Sequence, residues 1–134
     1  QALFKDGTLA IIDYKTGQVA SKKEVLAGFS PQLPLEAAIA AAGKFDGVNI
    51  GPVSALEFWH LDGGDPPGKV KSAGDDPTSL ATGAIEGLTR LVTTFDLVDT
   101  PYRARPHPDH TPRYSDYLHL ARVKEWSSGG GEDQ

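Results

Sequence analysis

The spacing of apolar residues changes several times along this 134-residue chain, and each change predicts an element. In "ALFKDGTLAII" two apolar runs flank Asp6-Gly7, a pair that takes positive φ at little cost. This predicts a hairpin with a two-residue turn, whose first strand holds Leu3 and Phe4. From Thr8 to Lys15, Leu9, Ile11, Asp13 and Lys15 share one strand face, and Ala10, Ile12 and Tyr14 share the other. Both faces begin apolar, as expected of a central strand covered by helices on both sides. Gly17 allows a sharp exit from this strand.

"SKKEVLAG" predicts a helical turn stopped by Gly28. Ser30-Pro31 has the form of a helix start, with Ser as N-cap and Pro at the first helical position. In "SPQLPLEAAIAAAGKF", Leu35, Ala38, Ile39 and Ala42 fall at i, i+3, i+4 and i+7, which predicts the packed face. Pro34 lies within the first turn, where it is tolerated. Val53 to Leu61 reads as a strand, and Asp62 to Pro77, rich in Gly, Pro and Asp, as an exposed loop. Ser79 to Asp96 is the clearest helix, with Leu80, Ala84, Ile85, Leu88, Leu91, Val92 and Phe95 forming its apolar stripe. "PYRARPHPDHTPRY" reads as extended, "YSDYLHLARVKEW" as a short last helix and residues 127–134 as a flexible tail.

Composition narrows the class. The chain is 39% hydrophobic and 23% charged, ordinary for one globular domain with its own core. It has no cysteine, which excludes a disulfide scaffold, a thiolate zinc site and a cysteine nucleophile. No apolar run reaches the length of a membrane span, so no membrane role is expected. Methionine is absent and the first residue is Gln, which leads us to expect a fragment of a longer protein. The net charge of −5 argues against an autonomous nucleic-acid binder, although a parent protein can supply a basic surface. No G-x-G-x-x-G or phosphate-cradling loop is present, so an ATP motor must lie elsewhere.

The chemistry concentrates in "IIDYKTG". Asp13 and Lys15, two residues apart on a strand, leave from one face. A carboxylate there suits a hard divalent cation, and a neighbouring lysine suits a phosphate oxygen or an attacking water. Taken alone, D-x-K is also the pattern of a solvated pair at a strand end. His107 and His110 form H-x-x-H without a regular scaffold, His60 reads as a partly buried, hydrogen-bonded strand residue, and His119 has no partner in the sequence. The loop acids Asp62, Asp65, Asp75 and Asp76 would repel DNA.

The longer pattern is an apolar strand, D-Y-K-T-G, and then Gln32-Leu33 opening a helix. It resembles the PD-(D/E)XK nuclease superfamily in its RecB-like branch. With "PQLPLEAAI" and "YSDYLHLARVKEW" it looks like the C-terminal nuclease region of AddB-type subunits of helicase–nucleases. The resemblance implies an α/β fold with a restriction-endonuclease-like core, a mixed sheet flanked by helices, truncated at its N-terminus. It implies a partial nuclease domain over residues 1–126, with a docking segment at about 101–126 ahead of the tail. The implied activity is Mg²⁺-dependent (Mn²⁺ also suits) DNA exonuclease action in double-strand break repair by homologous recombination. Asp13 would ligate the metal, the backbone carbonyl of Tyr14 would complete its shell, Lys15 would be the catalytic lysine, and Gln32 would hold the lysine, water or DNA. Relatives often carry Tyr where this chain has Glu36, so that role is not carried over. A further metal-ligating Asp is expected upstream of Gln1, which would leave this fragment alone inactive. No iron–sulfur cluster is expected from these residues. Implied partners are DNA and an AddA-like helicase–nuclease subunit, in the bacterial cytoplasm at the nucleoid. Lys22, Lys23, Arg103, Arg105 and Arg113 are candidate DNA contacts, with docking preferred for the C-terminal group. The alternative function is a catalytically incomplete nuclease-fold module for subunit or DNA docking. A generic α/β domain with an accidental D-x-K is a third reading.

Overall fold

The computed structural model describes residues 2–3, 6–48, 51–103 and 120. The elements run β1 (Ala2–Leu3), β2 (Leu9–Lys15), α1 (Lys22–Leu26), α2 (Gln32–Ala41), β3 (Val53–His60), β4 (Lys69–Ser72) and α3 (Pro77–Phe95). The chain divides into two units, 1–94 and 95–134.

The first unit is built on a mixed sheet in the order β1-β2-β3-β4. β1 is antiparallel to β2, with Ala2 opposite Ala10 and Leu3 opposite Leu9. The expected hairpin forms, but its register centres on Asp6 and so leaves an odd-numbered loop in place of the expected two-residue Asp6-Gly7 turn; Phe4 lies outside the described residues. The Asp6 carboxylate accepts from the Thr8 amide and hydroxyl, which closes the turn locally. β2 and β3 are parallel, with Ile11 opposite Leu56, Asp13 opposite Phe58 and Lys15 opposite His60. A parallel pair needs a crossover, and α1 and α2 supply it. β4 returns antiparallel to β3, pairing His60 with Lys69 and Phe58 with Lys71. The region read as loop thus contains a strand. Its four residues, Lys-Val-Lys-Ser, alternate, but they sit among Gly, Pro and Asp that mask so short a pattern.

One sheet face carries the core. Leu9, Ile11, Leu56 and Phe58 meet Val25 of α1, Leu33, Ala37 and Ala40 of α2, and Ala73, Leu80 and Ala81 around the start of α3. The opposite face of β2 is buried at its start, where Ala10 is 1% exposed, and opens toward its end. On the opposite face the Tyr14 ring is exposed and meets the Trp59 ring edge-on, with centroids 5.7 Å apart.

Local signals explain the helix ends. Ser21 and Glu24 form a reciprocal capping box at the start of α1. Gly28 has φ +81° just past its end, and the Phe29 and Gly28 amides reach back to Glu24 and Val25, a Schellman close. For α2 the sequence reading needs two corrections. Pro31, not Ser30, occupies the cap position, without a side-chain cap. The buried stripe is Leu33, Pro34, Ala37 and Ala40, while Ile39 is exposed. A helix this rich in alanine offers more than one plausible apolar face, and contact with β2 and β3 selects among them. α3 begins two residues earlier than expected, where the Asp76 carboxylate accepts from the Ser79 amide. Only Leu80 and Ala81 of α3 are buried; Ile85, Leu88, Leu91 and Val92 of its stripe remain exposed. Within the second unit, the Phe95 and Tyr102 rings stack with centroids 4.8 Å apart. No helix among the described residues is long and apolar enough to cross a membrane.

Candidate active site

β2 brings Asp13 and Lys15 together as the alternation requires. Lys15 Nζ lies 2.8 Å from Asp13 Oδ2, with the Asp13 side chain 14% exposed and that of Lys15 36%. Oδ2 itself is buried and accepts no well-directed hydrogen bond. The two observations agree: proximity alone makes an ion pair, but a hydrogen bond also needs angle. The carboxylate therefore keeps acceptor capacity. Phe58, opposite Asp13 on β3 and 1% exposed, is its apolar neighbour on the same sheet face.

The backbone around the pair is polarised by the ladder. The Leu61 amide donates to the Lys15 carbonyl at 2.7 Å, so the odd-numbered carbonyls of β2 face β3. Those of Ile12 and Tyr14 then face the opposite edge. The described β1 register stops at Ala10, so beside Tyr14 no partner strand is present among the described residues. The Tyr14 carbonyl sits at the open edge one residue from the Asp13 carboxylate, while its ring lies on the other sheet face. These are hard oxygen donors and suit a divalent cation in kind. Asp13 is a single carboxylate, and no group of three or more His, Cys, Asp or Glu able to hold a metal occurs among the described residues. The residues therefore fit one side of such a site.

Gln32 opens α2 and is exposed; its amide donates to Glu36 at 3.1 Å rather than bonding Asp13 or Lys15. Glu36 lines a cleft beside β2 with Ile12, Ala40, Phe45 and Val48. Lys22 pairs with Asp75 and Lys23 is exposed on α1. Arg103 is exposed in the second unit, and Arg105 and Arg113 lie outside the described residues, as do His107, His110 and His119.

Sequence reading missed what stands beside Lys15. His60 is its register partner, 20% exposed, with Nδ1 3.5 Å from Asp62 Oδ2. Lys69, opposite His60 on β4, reaches the same Asp62 oxygen at 3.8 Å. The Gly64 amide, then Lys69 and His60, hold the Asp62 carboxyl below its usual value against partial desolvation. Three of the four loop acids are thus engaged: Asp62 here, Asp75 by Lys22, and Asp76 at α3.

Comparison with protein-family models, with curated proteins and with solved structures gives no match to this chain.

Proposed function

We propose that this chain carries the acid-and-lysine side of a Mg²⁺-dependent DNA-cleaving site of the PD-(D/E)XK type, RecB-like branch. In this reading it works as an exonuclease domain within an AddAB-type helicase–nuclease, beside an AddA-like subunit, in double-strand break repair by homologous recombination. The supporting observation is the Asp13–Lys15 pair at the end of a parallel strand, with a buried carboxylate oxygen that no hydrogen bond saturates.

Asp13 and the Tyr14 carbonyl are the groups that hold the cation. When bound, it supplies charge neutralisation at the scissile phosphate and an acidified water. Lys15 places a fixed positive charge where anionic charge develops, and Asp13 restrains its rotation. Phe58, buried beside Asp13, keeps water from that flank of the carboxylate and strengthens its local field. A second reading, a nuclease-fold module for subunit docking, is favoured by the exposed apolar residues Ile85, Leu88, Leu91 and Val92 of α3.

Calorimetric titration with Mn²⁺ and a cleavage assay on linear duplex DNA, both on the full-length parent protein that supplies the upstream acid, test the leading reading. Mn²⁺ binding is expected in the wild type and lost in Asp13→Asn; Lys15→Ala is expected to lose cleavage. Absence of Mn²⁺ binding, or its persistence unchanged in Asp13→Asn, overturns the metal site. Undiminished cleavage by the Asp13→Asn/Lys15→Ala double variant overturns the nuclease assignment.

A further inference from the structure

Lys15, His60 and Lys69 occupy one register row across three strands, and Asp13, Phe58 and Lys71 occupy the row behind it. Both rows lie on the same sheet face. Tyr14 and Trp59, one residue before Lys15 and His60, touch on the other face, which fixes the side from which the Lys15 row emerges. Asp62 contacts His60 through Nδ1, so Nε2 is the ring nitrogen left to a ligand. The same carboxylate holds Lys69 loosely, at 3.8 Å. Three lysines and one imidazole therefore share a face with two aspartates, in a protein whose net charge is −5.

We propose that His60, Lys69 and Lys71 extend the Asp13–Lys15 site across the sheet as a binding row for the phosphates of a DNA strand. The proposal rests on the nuclease reading of Asp13 and Lys15 and adds the path by which substrate lies over them. Successive strands are about 4.8 Å apart, so the row presents donors over roughly 10 Å. Donors spread over that length match a chain of phosphodiesters better than one isolated phosphate. Lys69 and Lys71 act as exposed point charges on the backbone. His60, half-buried and oriented by Asp62, gives a fixed donor between them and Lys15. Asp62 is the group a phosphate must compete with, and its weak hold on Lys69 leaves that lysine free to swing.

The test is fluorescence anisotropy of a labelled DNA duplex across a KCl series, in EDTA so that no metal contributes. The proteins are the wild type, His60→Gln, Lys69→Ala, Lys69→Ala/Lys71→Ala and Lys69→Arg. All these positions except His60 are exposed, and circular dichroism checks that each variant is folded. Lys69→Ala is expected to weaken binding several-fold and to lower the slope of log affinity against log salt by about 1, and the double variant by about 2. His60→Gln is expected to weaken binding, and Lys69→Arg to restore both affinity and slope. Wild-type binding that is undetectable at low salt, or slopes equal in wild type and the double lysine variant, overturns the row. Mn²⁺ calorimetry on the full-length parent protein separates the two ideas: no metal binding there, with the salt slopes as expected, defeats the nuclease reading and leaves the phosphate row standing.

Discussion

Lys15 Nζ stands 2.8 Å from Asp13 Oδ2, and that oxygen is buried without a well-directed hydrogen bond. The pair is therefore asymmetric. The lysine is partly in solvent and loses little when its partner is neutralised, whereas the carboxylate depends on the lysine for countercharge.

Lys15→Ala is accordingly expected to destabilise the chain by about 1 kcal/mol, and Asp13→Asn by less, because asparagine leaves no buried charge behind. Urea unfolding at pH 7 measures both. A larger loss from Asp13→Asn than from Lys15→Ala would contradict the asymmetry.

Phe58 lies beside Asp13 at 1% exposure and belongs to the core shared by both central strands and α2. Phe58→Ala removes a ring from a packed interior and should cost about 3–5 kcal/mol. Phe58→Leu, which keeps most of the volume, should cost clearly less. Equal midpoints for the two variants would mean that the position is not packed as described.

The cap of α1 links stability to acid. The Ser21 amide and hydroxyl hold the Glu24 carboxyl below its ordinary value of 4.5. A lowered folded value means that the contribution is present above the unfolded value and is lost as pH falls through the folded one. Ser21→Ala is expected to cost about 1 kcal/mol at pH 7. The gap between Ser21→Ala and wild type should narrow below pH 4.5, as Glu24 takes up its proton and the reciprocal bond weakens. Denaturant midpoints for both proteins across pH 3 to 7 check it, and a gap that widens on acidification would refute the sign.

Gly51 packs against the hairpin turn in a way that its sequence context conceals. A Cβ there would lie 2.6 Å from the Gly7 carbonyl oxygen, a backbone atom that cannot rotate aside. Gly51→Ala should therefore destabilise by about 1–3 kcal/mol. Gly17→Ala, where a Cβ meets nothing within 4 Å, is the comparison and should be close to neutral. Similar effects in both would place the cost in backbone entropy rather than in the Gly7 contact.

The elements that short-range rules govern were legible before the fold was known. The Asp6-Gly7 hairpin, the face shared by Asp13 and Lys15, the α1 turn ended by Gly28 and strand β3 all depend on residues within a few positions of one another. The site was half legible for the same reason: D-x-K places its two side chains by alternation alone. Its other half was not, because Lys15 is distant in sequence from His60, Lys69 lies on a short strand masked by its loop composition, and the three meet only through register. No local pattern specifies which residue of β3 lies opposite Lys15.

Where sequence and structure differ, long-range packing made the choice. The alanine-rich α2 offered Leu35–Ala38–Ile39–Ala42 as readily as the Leu33–Ala37–Ala40 stripe that β2 and β3 bury. The α3 stripe is strongly amphipathic, yet beyond Ala81 its large apolar residues remain exposed in the described structure. β4 is paired through its backbone to β3, a bond that composition does not encode. The chain by itself determined the strand alternation, the Gly28 stop of α1 and the acid–lysine pair, since those are set by covalent neighbours. Only the tertiary structure decided which face is buried and which cations stand beside that pair, since burial and register depend on surfaces that meet after the chain has folded.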